Sequence, residues 1–300
     1  MRAQVEQKSL NHWDDYIPVK DIQFVGLQKN MIQGDEHLMR PAAQRAICNR
    51  LGIPIQYLQK CDPLLQAVNL NEWLPKERND NLFVRFDGND IRAIFTPRYK
   101  PIDNLQVLDR LYEQGYSDDN KIQFSLDDEF FMLNIPDKEK SFQVRHGDQM
   151  EPGISIGNSE VGMSSLTIAA FVLRLICTNG LISRSSVESS YRHVSHRILN
   201  EFPQVLNQVT MDLNQQRDQW EISADSHVDN PEGTIRSFNR QYNLDKQETE
   251  AVDWAWSQES GETMFDIVNT YTKAAQHPQL PSESEYQLQK VGGNILAMMN

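Results

Sequence analysis

The tightest constraint on the fold is a four-residue signal, Asp87-Gly88-Asn89-Asp90, set between two β-prone runs, Leu82-Phe83-Val84-Arg85-Phe86 and Ile91-Arg92-Ala93-Ile94-Phe95. Glycine in so short a connection supplies the positive φ of a tight hairpin, so the two runs are expected to pair antiparallel. The elements around that hairpin decide the class. Upstream, Pro41 opens a helix with Ala43, Ala46, Ile47 and Leu51 at helical spacing, and Gly52 stops it before Ile53-Pro54. A short helix is expected from about Ile55, and Pro63 starts a third that runs through Leu74. Downstream, Asp103 is placed to cap a helix bearing Leu105, Leu108, Leu111 and Tyr112 that ends at Gly115. Residues 121–126, 129–135, 142–145 and 153–157 read as strands, which together predict a meandering antiparallel sheet with a helix on it.

The stretch from Leu166 to Ile182 reads as a buried strand or a buried helix, since its Ile, Val, Leu and Phe content fits either. Asn179-Gly180 is a turn signal, and residues 183–195 hold six serines, which predicts a loop. A long amphipathic helix is expected from Ile198 to about Trp220. Asp245 with Glu248, and Ser282 with Glu285, form cap patterns ahead of further helices, with Phe265, Val268 and Thr272 near one face of another. Helices, a strand-rich centre and helices again predict an α+β fold: an antiparallel centre with a hairpin and packed helices, flanked by N-terminal and C-terminal helical segments. The expected divisions are a polar arm over 1–21 that is weakly ordered unless docked, a core over 22–200, and an acidic helical region over 201–300 packed on it.

Three widely spaced cysteines, Cys48, Cys61 and Cys177, form neither a disulfide framework nor a C-x-x-C pair, which fits reduced thiols in the cytoplasm. The start has no apolar run for a signal peptide, and the longest apolar stretch, Leu166–Cys177, is interrupted by Arg174. A soluble protein without membrane contact is expected.

Charge then bears on partners. The chain has 29 Lys and Arg against 42 Asp and Glu, a net charge of −13, which opposes a uniformly cationic coat. Residues 201–300 hold 6 basic and 16 acidic side chains, whereas residues 40–100 hold ten basic and six acidic ones. Polyanion binding depends on the local field, so an acidic carboxyl-terminal third leaves room for a basic groove elsewhere.

Several motifs compete for chemistry. Residues 44–58 superficially resemble a helix-turn-helix but lack a reading surface, because the second helix soon meets Asp62-Pro63. His193-x-x-His196 with Cys177 lacks a fourth ligand at motif spacing, so no metal is expected. Asp127-Asp128-Glu129 and Asp119-Asn120-Lys121 fall where turns are expected and read as solvated turn residues. No G-x-S-x-G, P-loop or dinucleotide fingerprint occurs, Cys177 sits in an apolar run, and neither catalytic residues nor cofactors are expected. What remains is Arg85, Arg92, Arg98, Tyr99 and Lys100 on and after the hairpin, with Arg184, Tyr191, Arg192, His193 and Arg197 downstream. Arginine and lysine follow a sugar-phosphate backbone and tyrosine stacks on unpaired bases, so the set suits single strands. Strand alternation puts Arg92 on the face opposite Ile91 and Ala93, leaving one sheet face cationic.

Leu51-Gly52-Ile53-Pro54 with Tyr57-Leu58, Asn71-Glu72-Trp73-Leu74, and above all residues 91–104 (IRAIFTPRYKPIDN) resemble the phage/plasmid-like proteins, a family of unknown function. Asn158-Ser159-Glu160-Val161-Gly162, residues 174–181, Tyr191-Arg192-His193 and the helical pair ending near Val291-Gly292-Gly293 are similar to later motifs of that family. The centre also looks loosely like single-strand annealing proteins of the RecT/Redbeta kind, which form rings or filaments with DNA in a cationic groove. That resemblance implies an oligomeric single-stranded DNA-binding protein of a mobile element that breaks no bond. Arg85, Arg92, Arg98 and Lys100 would contact phosphates, Tyr99 would stack on a base, and Arg184, Arg192 and Arg197 would close the groove. The alternatives are a protein-interaction factor that uses its acidic helices and, third, a metal-dependent nuclease.

Overall fold

The computed structural model describes residues 1–116, 122–175, 179–182, 189–191, 200–205, 207 and 213–299. The fold is α+β, as the order of elements predicts. The described chain forms two compact units, one from Met1–Leu108 with Ser159–Met163, the other from Asp109–Asn158 with the described parts of Ser164–Tyr191 and Arg197–Asn300. The expected divisions lay near residues 21 and 200, whereas the chain passes from the first unit to the second between Leu108 and Asp109.

In the first unit the polar start is docked. Helix α1 (Arg2–Ser9) leads into strand β1 (His12–Pro18), and Trp13 of that strand stacks on Phe86 with ring centroids 3.9 Å apart. The sequence reading foresaw no strand between residues 22 and 40, yet β2 (Ile22–Phe24), β3 (Lys29–Ile32) and β4 (Asp35–Met39) lie there. Gln33 and Gly34 turn the β3–β4 hairpin with φ of 54° and 99°, the doubly positive turn that Asn-Gly more often signals. Helices α2 (Pro41–Leu51), α3 (Ile55–Leu58) and α4 (Pro63–Trp73) start and stop where proline and glycine predict. Gly52 takes φ 69°, and Ile53 returns its N–H to the Cys48 carbonyl at 2.9 Å. At four residues α3 is too short for a reading helix, in keeping with the rejected helix-turn-helix.

The expected hairpin is β5 (Asn81–Asp87) and β6 (Asp90–Phe95), joined through Gly88 at φ 55°. β1 lies antiparallel on β5, from His12 opposite Asp87 to Pro18 opposite Asn81. The sheet runs β1-β5-β6-β4-β3-β2, with β4 and β6 parallel. One face packs under α2 and α4 through Phe24, Ile47, Leu58, Leu70, Val84, Phe86 and Ile94. The single expected meander is therefore two sheets. β6 has β5 on one edge and β4 on the other, so no edge remains for a later strand, and helix α5 (Asn104–Glu113) follows it.

The second unit holds β7 (Gln123–Leu126), β8 (Phe131–Pro136), β9 (Phe142–Arg145), β10 (Asp148–Asn158), β11 (Leu166–Arg174), β12 (Asn179–Ile182) and β13 (Ser189–Tyr191). Their order is β12-β11-β10-β8-β7, with β9 also on β10 and β13 on β11. The stretch left open between strand and helix is strand: every residue of β11 is buried, and it pairs with β10 along eight positions. Arg174 closes that strand with its guanidinium on Asp148 (2.6 and 2.8 Å) and Glu259 (2.6 Å).

Helices α6 (Leu213–Asp225), α7 (Pro231–Gln241), α8 (Lys246–Gln258), α9 (Met264–Ala274) and α10 (Ser282–Leu296) supply Trp220, Val252, Phe265, Val268, Tyr271, Leu288 and Ile295 to the core over Met150 and Val172. Of the helix expected from Ile198 to Trp220, residues 200–205 and α6 are helical and most of the chain between lies outside the described residues. Asp245 and Glu248 form the expected capping box. Ser282 does not cap its own helix. Its N–H donates instead to Asp127 Oδ2 at 3.0 Å, so Asp127 is a connector between a β-turn and a helix and not a solvated turn residue. Among the described residues no helix is long and apolar enough to cross a membrane.

A Cβ on Gly153 would collide with the backbone carbonyl of Ile135 on the neighbouring strand. Gly153→Ala is therefore expected to lose about 1–3 kcal/mol, the range for overpacking, seen as a lower urea midpoint.

Candidate functional site

The hairpin arginines are spent on structure. Arg85 is 2% exposed, and its guanidinium forks onto Asp14 (Nε–Oδ1 2.9 Å, Nη2–Oδ2 3.1 Å), donates to Asp103 and reaches the Glu160 carbonyl (3.1 Å). Arg92 donates to Glu160 Oε2 at 2.6 Å, while Glu160 Oε1 accepts the Asn104 N–H at 2.7 Å. Tyr99 is buried as well, stacked on Phe95 at 3.7 Å with its hydroxyl donating to the Glu160 carbonyl at 3.3 Å. Arg85, Arg92 and Tyr99 thus converge on one carboxylate-bearing residue, Glu160, and are buried there. The expected cationic sheet face is corrected accordingly.

Strand alternation failed because of a bulge. Arg85 lies opposite Ala93 and Phe86 opposite Ile91, so the ladder skips Arg92. Regular alternation would have carried Arg92 to the face of Val84 and Ile94, inside the apolar core; the extra residue turns it onto Glu160 beside Arg85. The three carboxylates that neutralise the pair, Asp14, Asp103 and Glu160, come from distant parts of the chain, and no local spacing announces them.

Electrostatics follow from this geometry. Burial pushes the Glu160 carboxyl up, but Arg92, Arg85 and the Asn104 N–H outweigh it and hold the group below its ordinary value. Burial raises Asp103 against the pull of Arg85, and raises the Tyr99 hydroxyl. His12 sits at the edge of the cluster, accepting from Arg92 at 3.2 Å, and burial together with Arg92 lowers it to about 4. A neutral ring that accepts at Nε2 carries its proton on Nδ1, which lies 3.6 Å from Glu160.

The other expected residues lie elsewhere. Arg98 and Lys100 are exposed just after β6. Tyr191 ends β13, paired with Leu166. Arg184, Arg192, His193 and Arg197 lie outside the described residues, as do Cys177, His196 and the Asp119-Asn120-Lys121 motif.

Positive charge also gathers in a different place. A cleft of about 910 Å³ in the first unit is lined by Arg45, Asn49 and Arg50 of α2, Trp73 of α4, Lys76, Glu77 and Arg78 just after it, Phe95 and Thr96, and the segment Val161-Gly162-Met163. Its single carboxylate is already engaged: Glu77 takes Arg50 at 3.4 Å and the Asn79 side-chain amide at 2.8 Å. Those partners outweigh burial and hold Glu77 below its ordinary value. Arg78 is exposed and makes no ion pair among the described residues. The Lys76 ammonium lies 4.1 Å from the centre of the half-exposed Trp73 ring and forms an exposed ion pair with Glu72 at 3.0 Å. Four cations and an open indole suit an anionic chain that carries flat rings. Sequence reasoning missed these residues as a site, although the excess of basic residues over 40–100 was their trace.

An α+β protein with a buried ion cluster and a cationic, aromatic-bearing cleft is the class that fold and site define. A family model described as Domain of unknown function (DUF932) matches residues 93–291, about two thirds of the chain. The chain belongs to that family, so the expectation of an uncharacterised family holds. No curated protein and no solved structure matches it. The match covers Glu160 and the Val161-Gly162-Met163 wall of the cleft but not α2 or α4.

Glu160→Gln leaves Arg92 buried beside a neutral partner and is expected to cost about 3–5 kcal/mol in chemical denaturation. The pH sign is also defined. A histidine whose folded value is about 4 is neutral when folded, so its contribution is present above the ordinary 6.5 and is lost as pH falls from 6.5 toward 4. His12→Gln is therefore expected to flatten the decline in melting temperature across that interval, measured against wild type in matched buffers.

Proposed function

We propose that this protein binds single-stranded nucleic acid without covalent chemistry, as an annealing-type protein of a phage, plasmid or similar mobile element would. The observation that carries this reading is the cleft, where Arg45, Arg50, Lys76 and Arg78 stand around an exposed Trp73. Guanidinium and ammonium groups hold phosphates whatever the base, and the indole gives each base a face to stack on. The phosphate contacts move from the hairpin arginines to the cleft, while Arg98 and Lys100 stay exposed as outlying contacts. Annealing requires only that two strands be held with their bases accessible.

One observation favours a second reading, a basic protein partner for the acidic helices. Asp229, Glu232 and Glu250 are well exposed around α7 and α8 and make only loose ion pairs of 3.5–3.7 Å. Among the described residues no three metal-ligating side chains gather, and the Asp119-Asn120-Lys121 motif of the nuclease reading lies outside them.

Fluorescence anisotropy with a labelled oligothymidylate over a salt series tests the leading reading. Affinity is expected to fall steeply with salt, Arg78→Ala to reduce the log–log slope by about one, and Trp73→Ala to weaken binding by about 1–3 kcal/mol. Absence of binding at low salt, or variants indistinguishable from wild type, would overturn it.

A further inference from the structure

One cation of the cleft, Arg50, faces the carboxylate in the cleft wall, and that contact is loose. Its Nη1 lies 3.4 Å from each oxygen of Glu77. Arg92 and Arg174 hold their carboxylates at 2.6–2.8 Å, the range of a charge-assisted hydrogen bond. Arg50 Nε is buried and has no hydrogen-bond partner among the described residues. Glu77 makes its shorter bonds elsewhere: Oε1 accepts the Asn79 N–H at 3.1 Å and the Asn79 side-chain amide at 2.8 Å. The Glu77 side chain is only 4% exposed, so those bonds matter, and both remain when the guanidinium turns away.

Resting on the strand-binding reading above, we infer that Glu77 is a built-in competitor for the strand: in the free protein its carboxylate faces Arg50 where a phosphate of the bound strand would, and binding exchanges one anion for the other. The guanidinium is a planar fork of donors suited to phosphate oxygens, and Glu77 engages Nη1 alone. A phosphate fills Nε as well once the guanidinium turns toward the cleft. The exchange also selects the ligand. An anion displaces Glu77 when other groups of the cleft hold it at the same time, which favours a strand with neighbouring phosphates and a base on Trp73 over a lone inorganic ion.

Two measurements on the full chain test this. In anisotropy titrations with oligothymidylate, Glu77→Gln, whose amide oxygen keeps the Asn79 bonds, is expected to bind on the order of ten-fold more tightly than wild type, with a log–log salt slope steeper by about one. Asp80→Asn, which removes an exposed carboxylate three residues on, is expected to change affinity by about two-fold or less. In wild-type protein labelled with nitrogen-15, the Arg50 Nε–H resonance, identified by its loss in Arg50→Lys, is expected to move as the oligonucleotide saturates. Binding by Glu77→Gln no tighter than wild type, an equal gain from Asp80→Asn, or an Arg50 resonance that stays still while anisotropy reports binding would overturn the exchange and leave the strand-binding reading standing. Absence of wild-type binding at low salt would overturn both.

Discussion

Glu160 is buried between two arginines, and the first unit is arranged around that fact. A carboxylate at 8% exposure is tolerable only when it is paired and its lone pairs are filled, and here Arg92 takes one oxygen and the Asn104 N–H the other. The same residue offers its carbonyl to Arg85 and Tyr99, so four groups tie down a segment that belongs to this unit by contact and not by sequence proximity. Val161, Gly162 and Met163 follow directly and form one wall of the cleft. Gly162 holds φ 85° with the Phe95 ring where a Cβ would be, and Phe95 is stacked on Tyr99. The ion cluster and the cleft wall are therefore one construction.

This divides the basic residues by task. Arg85, Arg92 and Arg174 are charge-paired and buried, and contribute to the fold. Arg78 and Lys76 are exposed and contribute to the field outside it. A net charge of −13 describes neither group, because the acidic surplus lies mainly in residues 201–300. What separates the two groups is burial: the first is desolvated against its carboxylates, and the second stands in water, where an ion pair such as Lys76–Glu72 is weak.

Much of the fold was legible in local signals. The Gly88 hairpin, the Pro41–Gly52 helix limits and the Asp245–Glu248 capping box each follow from backbone chemistry within a few residues. Signals of longer range were not. β2, β3 and β4 are short, and their tight turn is Gln33-Gly34, a weak signal beside Asn-Gly. The parallel β4–β6 pairing that closes the first sheet joins residues about fifty positions apart and leaves no local trace. The candidate site suffered most, since the sequence reading took the Arg92 face for a cationic surface, and only the bulge, which redirects the side chain, and Glu160, 68 residues on, which neutralises it, show where the charge goes. The motifs around Arg98-Tyr99-Lys100 and Glu160 pointed to an uncharacterised family, as the family model bears out, and that region includes residues that assemble the cluster.

The central claim is the proposal that the cations of the cleft contact a nucleic-acid strand while the buried, paired arginines of the hairpin hold the structure. Hydrogen–deuterium exchange of the full chain with and without a single-stranded oligonucleotide tests it most directly. The account predicts slowed exchange concentrated in residues 42–51 and 73–79, with the hairpin over 81–95 already protected in the free protein and little changed. Protection confined to the hairpin, or to residues 201–300 with the cleft unaffected, would contradict it.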